Sequence, residues 1–365
     1  MAGSYLVVET TNKCSLACVH CSVSELGHPH HQQVGYIDPS LVTGLFDDLV
    51  EVGAWFDALI LFWLGEPLIH PYFREMYQAA IRANHVRPVF GQIELHSNAT
   101  HLDLRNARVL LNQAPVRQVL HFSLDAASRE TYRVIKGMDR FEKVEANVAR
   151  FIAEKGRLGA RWPRPVFQYI VSDKNRDEAE RFRDRWLAAC RRAGLEARAA
   201  AQNVPPGEDA IVFFRQLDCP TPAEQAHQNG VFRELMDELG LPVARQEKAP
   251  EVVEAANPGP CSGYWKSPVV GWNGEVTACT RDNLLENSLG NLADHRFSDL
   301  WWGPAMAGKR EQVAVGDYRS SALCQTCFIP RSSNYTDVTA REIAAHASWE
   351  QGHHGSPPAS DSDAA

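Results

Sequence analysis

Residues 12–21 read NKCSLACVHC and place three cysteines, Cys14, Cys18 and Cys21, in the spacing C-x3-C-x2-C. Three thiolates are one fewer than a structural zinc ion or a closed iron–sulfur cluster takes from a protein. A four-iron cluster held by three cysteines keeps one iron open, which favours chemistry at that iron. Two alternatives remain from the spacing alone: a zinc site completed by His20 or a distant residue, or three unrelated buried thiols.

Further landmarks follow this loop in chain order, each at the carboxyl end of a predicted strand. The strand SYLVVE runs into the cysteine loop, and the tripeptide GEP at 65–67 ends the apolar run ALILFWL. Asn98 lies in the polar turn HSNAT after the next strand, and Ser123 and Asp125 end the fourth. With these motifs in this order, the chain resembles the radical S-adenosylmethionine (SAM) superfamily.

The resemblance implies two cofactors at this end of the chain, SAM and a [4Fe-4S] cluster held by the three cysteines. It implies that the glycine-containing motif holds the methionine end of SAM and that polar side chains after the fourth strand contact the ribose. A glutamine in the fifth strand is a candidate for the adenosyl group, or an ordinary inward-facing strand residue. The predicted cofactor contacts are Gly65, Glu66, Asn98, Ser123, Asp125 and Gln168.

Two positions depart from the usual pattern of that superfamily. His20 stands before the third cysteine, where relatives usually carry an aromatic residue, and it is still able to lie flat near the adenine. Leu64 precedes the single Gly65, where many relatives have two glycines. Neither departure removes a cluster ligand.

Composition places the 365-residue chain among ordinary globular proteins, with 44% hydrophobic and 22% charged residues. No run approaches the ~20 apolar residues that span a bilayer, and no signal-peptide pattern opens the chain. Nine cysteines therefore favour metal ligation in a reducing compartment, and we predict a cytoplasmic protein without a membrane partner. The net charge of −8 gives no indication of nucleic-acid binding.

Short β-branched runs alternate with amphipathic stretches up to about residue 220, which indicates parallel βαβ units. We predict strands near 5–9, 58–64, 92–96, 119–124, 166–171 and 210–216, with helices between them such as 39–53, 127–135 and 177–194. Six units are too few for a closed eight-stranded barrel. The resemblance implies an α/β fold, a partial (β/α)6 barrel with its site at the carboxyl ends of the strands.

Composition shifts predict four segments. The barrel occupies 1–220, a helical connector 221–258 and a second module 259–340. The tail at 348–365 is rich in Ser, Pro and Ala, has little to bury, and is predicted to be disordered.

Four further cysteines, Cys261, Cys279, Cys324 and Cys327, make a set large enough to close a metal site. Cys261 leads into SPVVGWNGEVTAC, which predicts a β-hairpin around the dipeptide NG at 273–274. From these residues alone, a zinc ribbon is at least as good an interpretation as an iron–sulfur cluster. A thioredoxin-like redox pair at Cys324 and Cys327 fits less well, because no βαβ start surrounds it.

The order G-x4-C at 274–279, then LGNL, FSDLWWGP and C-x2-C, resembles the auxiliary-cluster extensions of radical SAM enzymes. The longer SPASM form adds cysteines after the last pair, and this chain has none after Cys327. The resemblance therefore implies the shorter twitch form, a hairpin-plus-helix domain holding one auxiliary [4Fe-4S] cluster with four cysteines. Together the two resemblances cover roughly residues 4–330.

The resemblance implies that SAM cleavage gives a 5′-deoxyadenosyl radical, which takes a hydrogen atom from a C–H bond. A substrate radical beside a hydroxyl becomes a ketone by losing a proton and an electron, and a closed second cluster is a natural acceptor. We therefore predict an alcohol oxidation, as in the aminocyclitol dehydrogenases of antibiotic pathways such as 2-deoxy-scyllo-inosamine dehydrogenase. Because the cluster loop begins at residue 14, there is no room for an N-terminal peptide-recognition region. The expected substrate is a small carbohydrate, aminocyclitol or nucleoside-type intermediate.

Three residues near the end of the predicted sixth strand are catalytic candidates, Arg215, Asp218 and Cys219. Arg215 or Asp218 would help take the hydroxyl proton, although a purely structural salt bridge is equally consistent. Cys219 would return a hydrogen atom to the opposite face of the substrate radical and make the enzyme an epimerase, or be a loop thiol without a role.

Two further alternatives stay open: radical dehydration of a diol, and a non-catalytic zinc-binding interaction protein. As an enzyme of this type the chain would need a flavodoxin- or ferredoxin-type electron donor.

Overall fold

The structure is a computed structural model that describes residues 3–21, 33–112, 114–219, 222–243 and 259–327, with 343, 344 and 346. Within these residues ten strands form one sheet. The strands β1–β10 are Tyr5–Val8, Phe56–Ile60, Phe90–Ser97, Arg117–Ser123, Arg164–Val171, Ala197–Ala201, Ala210–Gln216, Val269–Val270, Glu275–Thr277 and Ser288–Asn291. The helices α1–α11 are Pro39–Val52, Phe73–Val86, Leu104–Leu110, Arg129–Lys136, Phe141–Leu158, Ala179–Arg192, Pro222–Glu238, Gly263–Lys266, Phe297–Trp301, Pro304–Ala314 and Ala322–Thr326.

The barrel part of the sheet has the order β1-β2-β3-β4-β5-β7-β6, with every neighbouring pair parallel. Helices connect most successive strands, as parallel pairing requires. The predicted α/β partial barrel is therefore confirmed, with its strand ends within a few residues of the predicted ones. One strand was missed, β6, because its sequence ARAAA lacks the β-branched residues typical of strands.

Local signals define the helices in the usual way, as α1 illustrates. The Asp38 side chain caps its start by accepting a hydrogen bond from the backbone N–H two residues on. Gly53 ends the helix in the left-handed conformation, at φ 68°. Between these ends Val42, Leu45 and Leu49 form a buried stripe that packs into the hydrophobic core.

The two faces of the sheet differ. The face beneath the helices carries large buried side chains such as Leu95 and Phe122, which belong to the main core. On the opposite face, Val119, Val166, Ile211 and Phe213 form a separate apolar cluster. The space that this inner face lines is called the barrel lumen below, and the apolar cluster is called its floor.

The C-terminal hairpin continues the barrel sheet, which the sequence did not predict. Strand β8 pairs in parallel with β1, with Val7 opposite Val269, and β9 and β10 follow as antiparallel neighbours. The predicted hairpin around 273–274 is present between β8 and β9. One sheet thus carries both the N-terminal cysteine loop and the second cysteine set.

A buried carboxylate on α1 docks the start of α9. Asp48 accepts hydrogen bonds from Arg296 Nε at 2.8 Å, from the Ser298 backbone N–H at 2.7 Å and from Ser298 Oγ at 2.9 Å. The second module is thereby tied to the barrel by polar contacts as well as through the hairpin.

The predicted division into segments stays a prediction, and the predicted disordered tail lies outside the described residues. In the part of the chain that the structure describes, no helix combines the length and apolar character needed to cross a bilayer.

Candidate active site

The three N-terminal cysteines lie together in the loop after β1. Burial, then the Glu66 carboxylate and the two neighbouring thiols, raise the pKa of Cys14 to about 12. All three residues line one cavity of about 840 Å³. Clustered soft sulfur donors beside open space fit a [4Fe-4S] cluster with three protein ligands and one open iron.

Backbone contacts with the GEP turn brace this loop. A Cβ on Gly65 would come within 2.0 Å of the Thr11 carbonyl oxygen, so no other residue fits here. The Glu66 N–H donates to the Lys13 carbonyl at 2.8 Å. The predicted motif therefore supports the cysteine loop through its backbone.

The side chain of Glu66 is almost completely buried and already holds other groups. Oε1 accepts from the Leu68 N–H at 3.0 Å and from Ser97 Oγ at 2.9 Å, and Oε2 from the Asn98 N–H at 2.7 Å. Burial raises the pKa of Glu66 to about 7, while these hydrogen bonds act in the opposite direction. Its predicted contact with SAM stays a prediction, and the described contacts give it a bracing role.

Asn98 reaches the cysteine loop from the end of β3. Its Nδ2 lies 3.6 Å from Cys14 Sγ, and its Oδ1 accepts from the Thr100 hydroxyl at 2.6 Å. The Thr100 hydroxyl in turn lies 2.7 Å from that of Ser15. An amide N–H beside a thiolate would stabilise the charge on that sulfur.

The predicted adenosyl contacts come together where β4 and β5 end. Ser123 and Gln168 are opposite each other in the β4–β5 register, and Gln168 Nε2 donates to Ser123 Oγ at 3.2 Å. Both side chains lie on the lumen face, because Ser123 is two and four residues along β4 from His121 and the floor residue Val119. Their roles towards SAM remain predictions.

Asp125 is fully buried and forms an ion pair that the sequence did not indicate. Its carboxylate pairs with Lys136 and accepts from the Ile170 N–H at 2.7 Å. Burial lowers the pKa of Lys136, but Asp125 and Cys18 outweigh it, so the pKa is raised overall. His20 Nε2 lies 3.9 Å from the same carboxylate. The predicted contact of Asp125 with the ribose stays a prediction. It would have to use carboxylate oxygens that already accept hydrogen bonds from Lys136 and the Ile170 N–H.

The last turn of α4 also holds the cysteine loop. The Ala17 N–H donates to the Lys136 carbonyl at 3.1 Å, and the Val19 N–H to the Ile135 carbonyl at 2.9 Å. These bonds fix the backbone on both sides of Cys18. No sequence motif identified Lys136; an unusual lysine on the buried stripe of an amphipathic helix is the only local signal.

The second cysteine set gathers four thiols in the C-terminal module. Burial, and after it mainly the other three thiols, raise the pKa of Cys261 to about 12; burial raises that of Cys279 to about 11. The Arg281 N–H donates to Cys279 Sγ at 3.3 Å. Tyr264 OH lies 3.4 Å from the sulfur of Cys324. Four clustered sulfurs with hydrogen-bond donors around them fit a [4Fe-4S] cluster.

The three catalytic candidates follow β7, as predicted. Arg215 Nη2 and Asp218 Oδ2 form an exposed salt bridge of 3.0 Å. The Cys219 N–H donates to Gln225 Oε1 at 2.9 Å, and burial raises the pKa of its thiol. Arg215 follows the floor residues Ile211 and Phe213 by four and two residues along β7, so its side chain is on the lumen face near the carboxyl end of that strand. No described contact assigns any of the three a catalytic role.

A polar group inside the lumen was missed altogether. The metal-capable atoms of Glu94, His96 and His121 all lie within 4.8 Å of one another. The signal was available: polar residues alternate with Ile93 and Leu95 along β3, where a strand buried on both faces would be apolar.

Two family profiles match the chain at the positions of these two thiol sets. The profile of the radical SAM superfamily matches residues 8–160. The SPASM profile, described as an iron–sulfur cluster-binding domain, matches residues 261–328. Among curated proteins, GTP 3′,8-cyclase of Chlorobaculum tepidum is 28% identical over 149 residues. That match covers 41% of this chain and 41% of the relative, so the chain spans about two fifths of its length.

Solved structures share the fold. Native anSMEcpe with bound AdoMet aligns with a TM-score of 0.55 and 15% identity, over 90% of this chain and 87% of its own. Streptococcus suis SuiB bound to S-adenosylmethionine aligns with a TM-score of 0.53 and 11% identity, over 84% and 67%. BtrN in complex with AdoMet and 2-DOIA covers 90% and 93% at 15% identity, with a TM-score of 0.46.

Fold and thiol sets together define an iron–sulfur enzyme that uses SAM. The chain has a radical SAM domain at residues 8–160 and an auxiliary-cluster domain of the SPASM/twitch type at residues 261–328. The predicted cofactors, SAM, its [4Fe-4S] cluster and auxiliary iron–sulfur ligation, are confirmed. The alternative of a non-catalytic zinc protein is thereby replaced.

Proposed function

We propose that the chain oxidises a carbinol carbon of a small carbohydrate, aminocyclitol or nucleoside-type intermediate to a ketone. When bound, SAM and the first cluster supply a 5′-deoxyadenosyl radical that removes a hydrogen atom from that carbon. The substrate then loses its hydroxyl proton to the protein and one electron to the auxiliary cluster. A flavodoxin- or ferredoxin-type protein is the proposed electron donor for SAM cleavage.

The observation that carries this proposal is the closed set of four thiols beside the barrel. With four cysteines available, a single auxiliary cluster has no open iron for substrate, which leaves electron transfer as its role. A direct link joins this set to the barrel: Trp63 Nε1 donates to the carbonyl of Thr280, next to Cys279, at 3.2 Å. Since Trp63 precedes Gly65 by two residues, this contact connects the auxiliary site with the loop that braces the first cysteines.

The test compares wild type with two variants after anaerobic reconstitution. In Cys14/Cys18/Cys21→Ala we expect about four irons fewer per chain and no 5′-deoxyadenosine. In Cys261/Cys279/Cys324/Cys327→Ala we expect a similar loss of iron, retained SAM cleavage and no ketone from an aminocyclitol panel that includes 2-deoxy-scyllo-inosamine. A quadruple variant that forms ketone as wild type does would contradict the electron-acceptor role.

Epimerisation is a second candidate, since Cys219 follows β7 at the carboxyl edge of the barrel sheet. A thiol there would donate a hydrogen atom to the substrate radical. Cys219→Ala distinguishes the two: a dehydrogenase keeps its ketone yield, whereas an epimerase stalls or begins to form ketone. Radical diol dehydration is separated from both by its product, which lacks one oxygen atom.

A further inference from the structure

Three polar side chains lie next to one another in the barrel lumen. Glu94 and His96 alternate with core residues along β3, and His121 lies directly opposite His96 in the β3–β4 register. Glu94 is likewise opposite Val119, which belongs to the lumen floor. Paired residues of parallel strands share a face, so all three side chains enter the lumen.

Ring stacking holds the two imidazoles in place. The rings of His96 and His121 are 4.1 Å apart with an interplanar angle of 8°. Phe62 stacks on the other side of His96, at 5.1 Å and 8°. Glu94 Oε2 lies 3.5 Å from His96 Nε2, and Glu94 is itself held by a short hydrogen bond from Gln92. Ring stacking and hydrogen bonding therefore hold these three side chains in a defined arrangement.

Two of its nitrogens lack a hydrogen-bond partner. Among the described residues, neither His96 Nε2 nor His121 Nδ1 has one, although both atoms are buried and His121 is only 8% exposed. A buried polar atom left without a partner costs about 1–3 kcal/mol. His96 Nε2 still has the Glu94 carboxylate at 3.5 Å, whereas His121 Nδ1 is left open for a further polar group.

The stacked geometry does not suit a metal ion. Each imidazole nitrogen presents its lone pair in the plane of its own ring, and the two planes are nearly parallel, at 8°, with ring centroids 4.1 Å apart. A bound transition metal would need both lone pairs to converge on one point at about 2.0–2.1 Å. Parallel imidazoles and a carboxylate instead fit a ligand with several hydroxyl or amino groups.

By their position along the strands, the two imidazoles would lie beside SAM if Ser123 contacts the adenosyl group as predicted. Ser123, a predicted adenosyl contact, follows His121 by two residues on the same face, about 7 Å along the strand. The apolar floor closes the lumen below. By register Glu94 lies level with the floor, and the two imidazoles lie between the floor and the predicted adenosyl site, where we place the substrate carbon.

We propose that Glu94, His96 and His121 form hydrogen bonds with the hydroxyl group on the reacting carbon of a polyol that is uncharged or carries an amine. In this proposal His121 is the proton acceptor. This rests on the proposed alcohol oxidation. After hydrogen abstraction the substrate O–H bond breaks, the carbonyl bond forms, the proton goes to the His121 imidazole and the electron to the auxiliary cluster. The Glu94 carboxylate disfavours anionic substrates and attracts an ammonium group.

The protonation state of His121 is compatible with its role as the proton acceptor. Burial, then His96, Arg215 and Arg164, lower the pKa of His121 well below its usual value. The groups that face it are Glu94 and His96 from β3, Arg164 from β5 and Arg215 from β7. The imidazole is therefore neutral near pH 7 and has a lone pair for the substrate hydroxyl, although the same lowered pKa makes it a weak base.

The test measures affinity for 2-deoxy-scyllo-inosamine by equilibrium dialysis with the reconstituted holoenzyme and SAM. We expect His121→Asn and His121→Gln to weaken binding about tenfold or more, because hydrogen bonds inside the lumen are lost. His295→Asn, at an exposed histidine outside the barrel, should bind as wild type does. Iron content and circular dichroism exclude misfolding.

Several outcomes overturn the assignment: no binding of the probe by wild type, unchanged binding by both His121 variants, or a bound metal that both variants lose. If binding depends on His121 but wild type forms no ketone, the site stands and the proposed oxidation fails. A probe deuterated at the carbinol carbon separates hydrogen abstraction from proton transfer. The proton-acceptor role is supported if His121→Asn still transfers deuterium to 5′-deoxyadenosine while its ketone formation falls about 100-fold or more. Loss of both together contradicts that role.

Discussion

Single residues set the geometry of the first cluster loop, and Gly65 is the clearest case. Its α-carbon faces the Thr11 and Lys13 carbonyls so closely that even one methyl group would overlap them. Both contacts are with backbone, which cannot move aside without shifting the cysteines that follow. The glycine is therefore required for close approach between two loops.

We predict that Gly65→Ala loses most of the first cluster, about four irons per chain, while the auxiliary cluster remains. The added Cβ would lie 2.0 Å from the Thr11 oxygen and displace the loop. Iron and sulfide analysis after anaerobic reconstitution measures the effect. Gly44→Ala is the matched control, because a Cβ there meets nothing within 4 Å and alanine favours the helix. Full iron content in Gly65→Ala would contradict this account.

At this scale the sequence predicted the metal ligands well, because a spacing such as C-x3-C-x2-C is a local property. It did not predict the buried partners of those residues. Lys136 pairs with Asp125, which lies eleven residues earlier, and no local pattern marks that ion pair. His121 meets His96 only because two strands pair in one particular register.

Elements meet through a few buried polar contacts, of which Asp48 on α1 is the strongest described example. Its carboxylate receives Arg296 and both the backbone and hydroxyl of Ser298, at the entry to α9. The arrangement fixes the second module against the barrel at a point remote from the cysteines. Docking of the two parts thus has a polar anchor in addition to the continuous sheet.

Asp48→Ala should lower the free energy of unfolding by about 2–4 kcal/mol, because four hydrogen bonds to a nearly buried carboxylate are lost. Amide hydrogen exchange should rise first in α9. Urea unfolding and exchange measured on the same samples provide the two readouts. The adjacent Asp47→Ala, at an exposed position, is expected to stay within about 0.5 kcal/mol of wild type. Equal effects of the two substitutions would refute the anchor.

The whole molecule is organised around one sheet that runs from the barrel into the C-terminal hairpin. Because β8 covers the outer edge of β1, the barrel has no free backbone edge on that side. Glu9, at the end of β1, is buried beneath the hairpin turn and accepts from the Trp272 N–H at 3.2 Å. This carboxyl group therefore reports on the junction between the two parts.

Burial raises the pKa of Glu9 to about 7, against the weaker effect of two backbone hydrogen bonds. The folded state thus binds its proton more tightly than the unfolded chain, whose carboxyl has a pKa of 4.5. The associated stability is present below pH 4.5 and is lost as the pH rises through 7. From pH 5 to 8 we expect Glu9→Gln to gain up to about 3 kcal/mol relative to wild type.

Thermal unfolding midpoints of the reconstituted proteins at pH 5 and pH 8 measure this change. Glu311→Gln, at an exposed position on α10, serves as the control and should show a constant difference from wild type. A constant difference for Glu9→Gln as well would mean that Glu9 does not titrate in this range.

The sequence by itself determined the cofactor class and the fold class, since ligand spacing and the alternation of strands with helices are written within short windows. Only the tertiary structure decided that the hairpin joins β1, that Lys136 supports the first cysteine loop, and that Glu94, His96 and His121 lie together in the lumen. The physical reason is distance along the chain. These contacts depend on strand register and on packing between segments far apart in sequence, and neither leaves a local pattern.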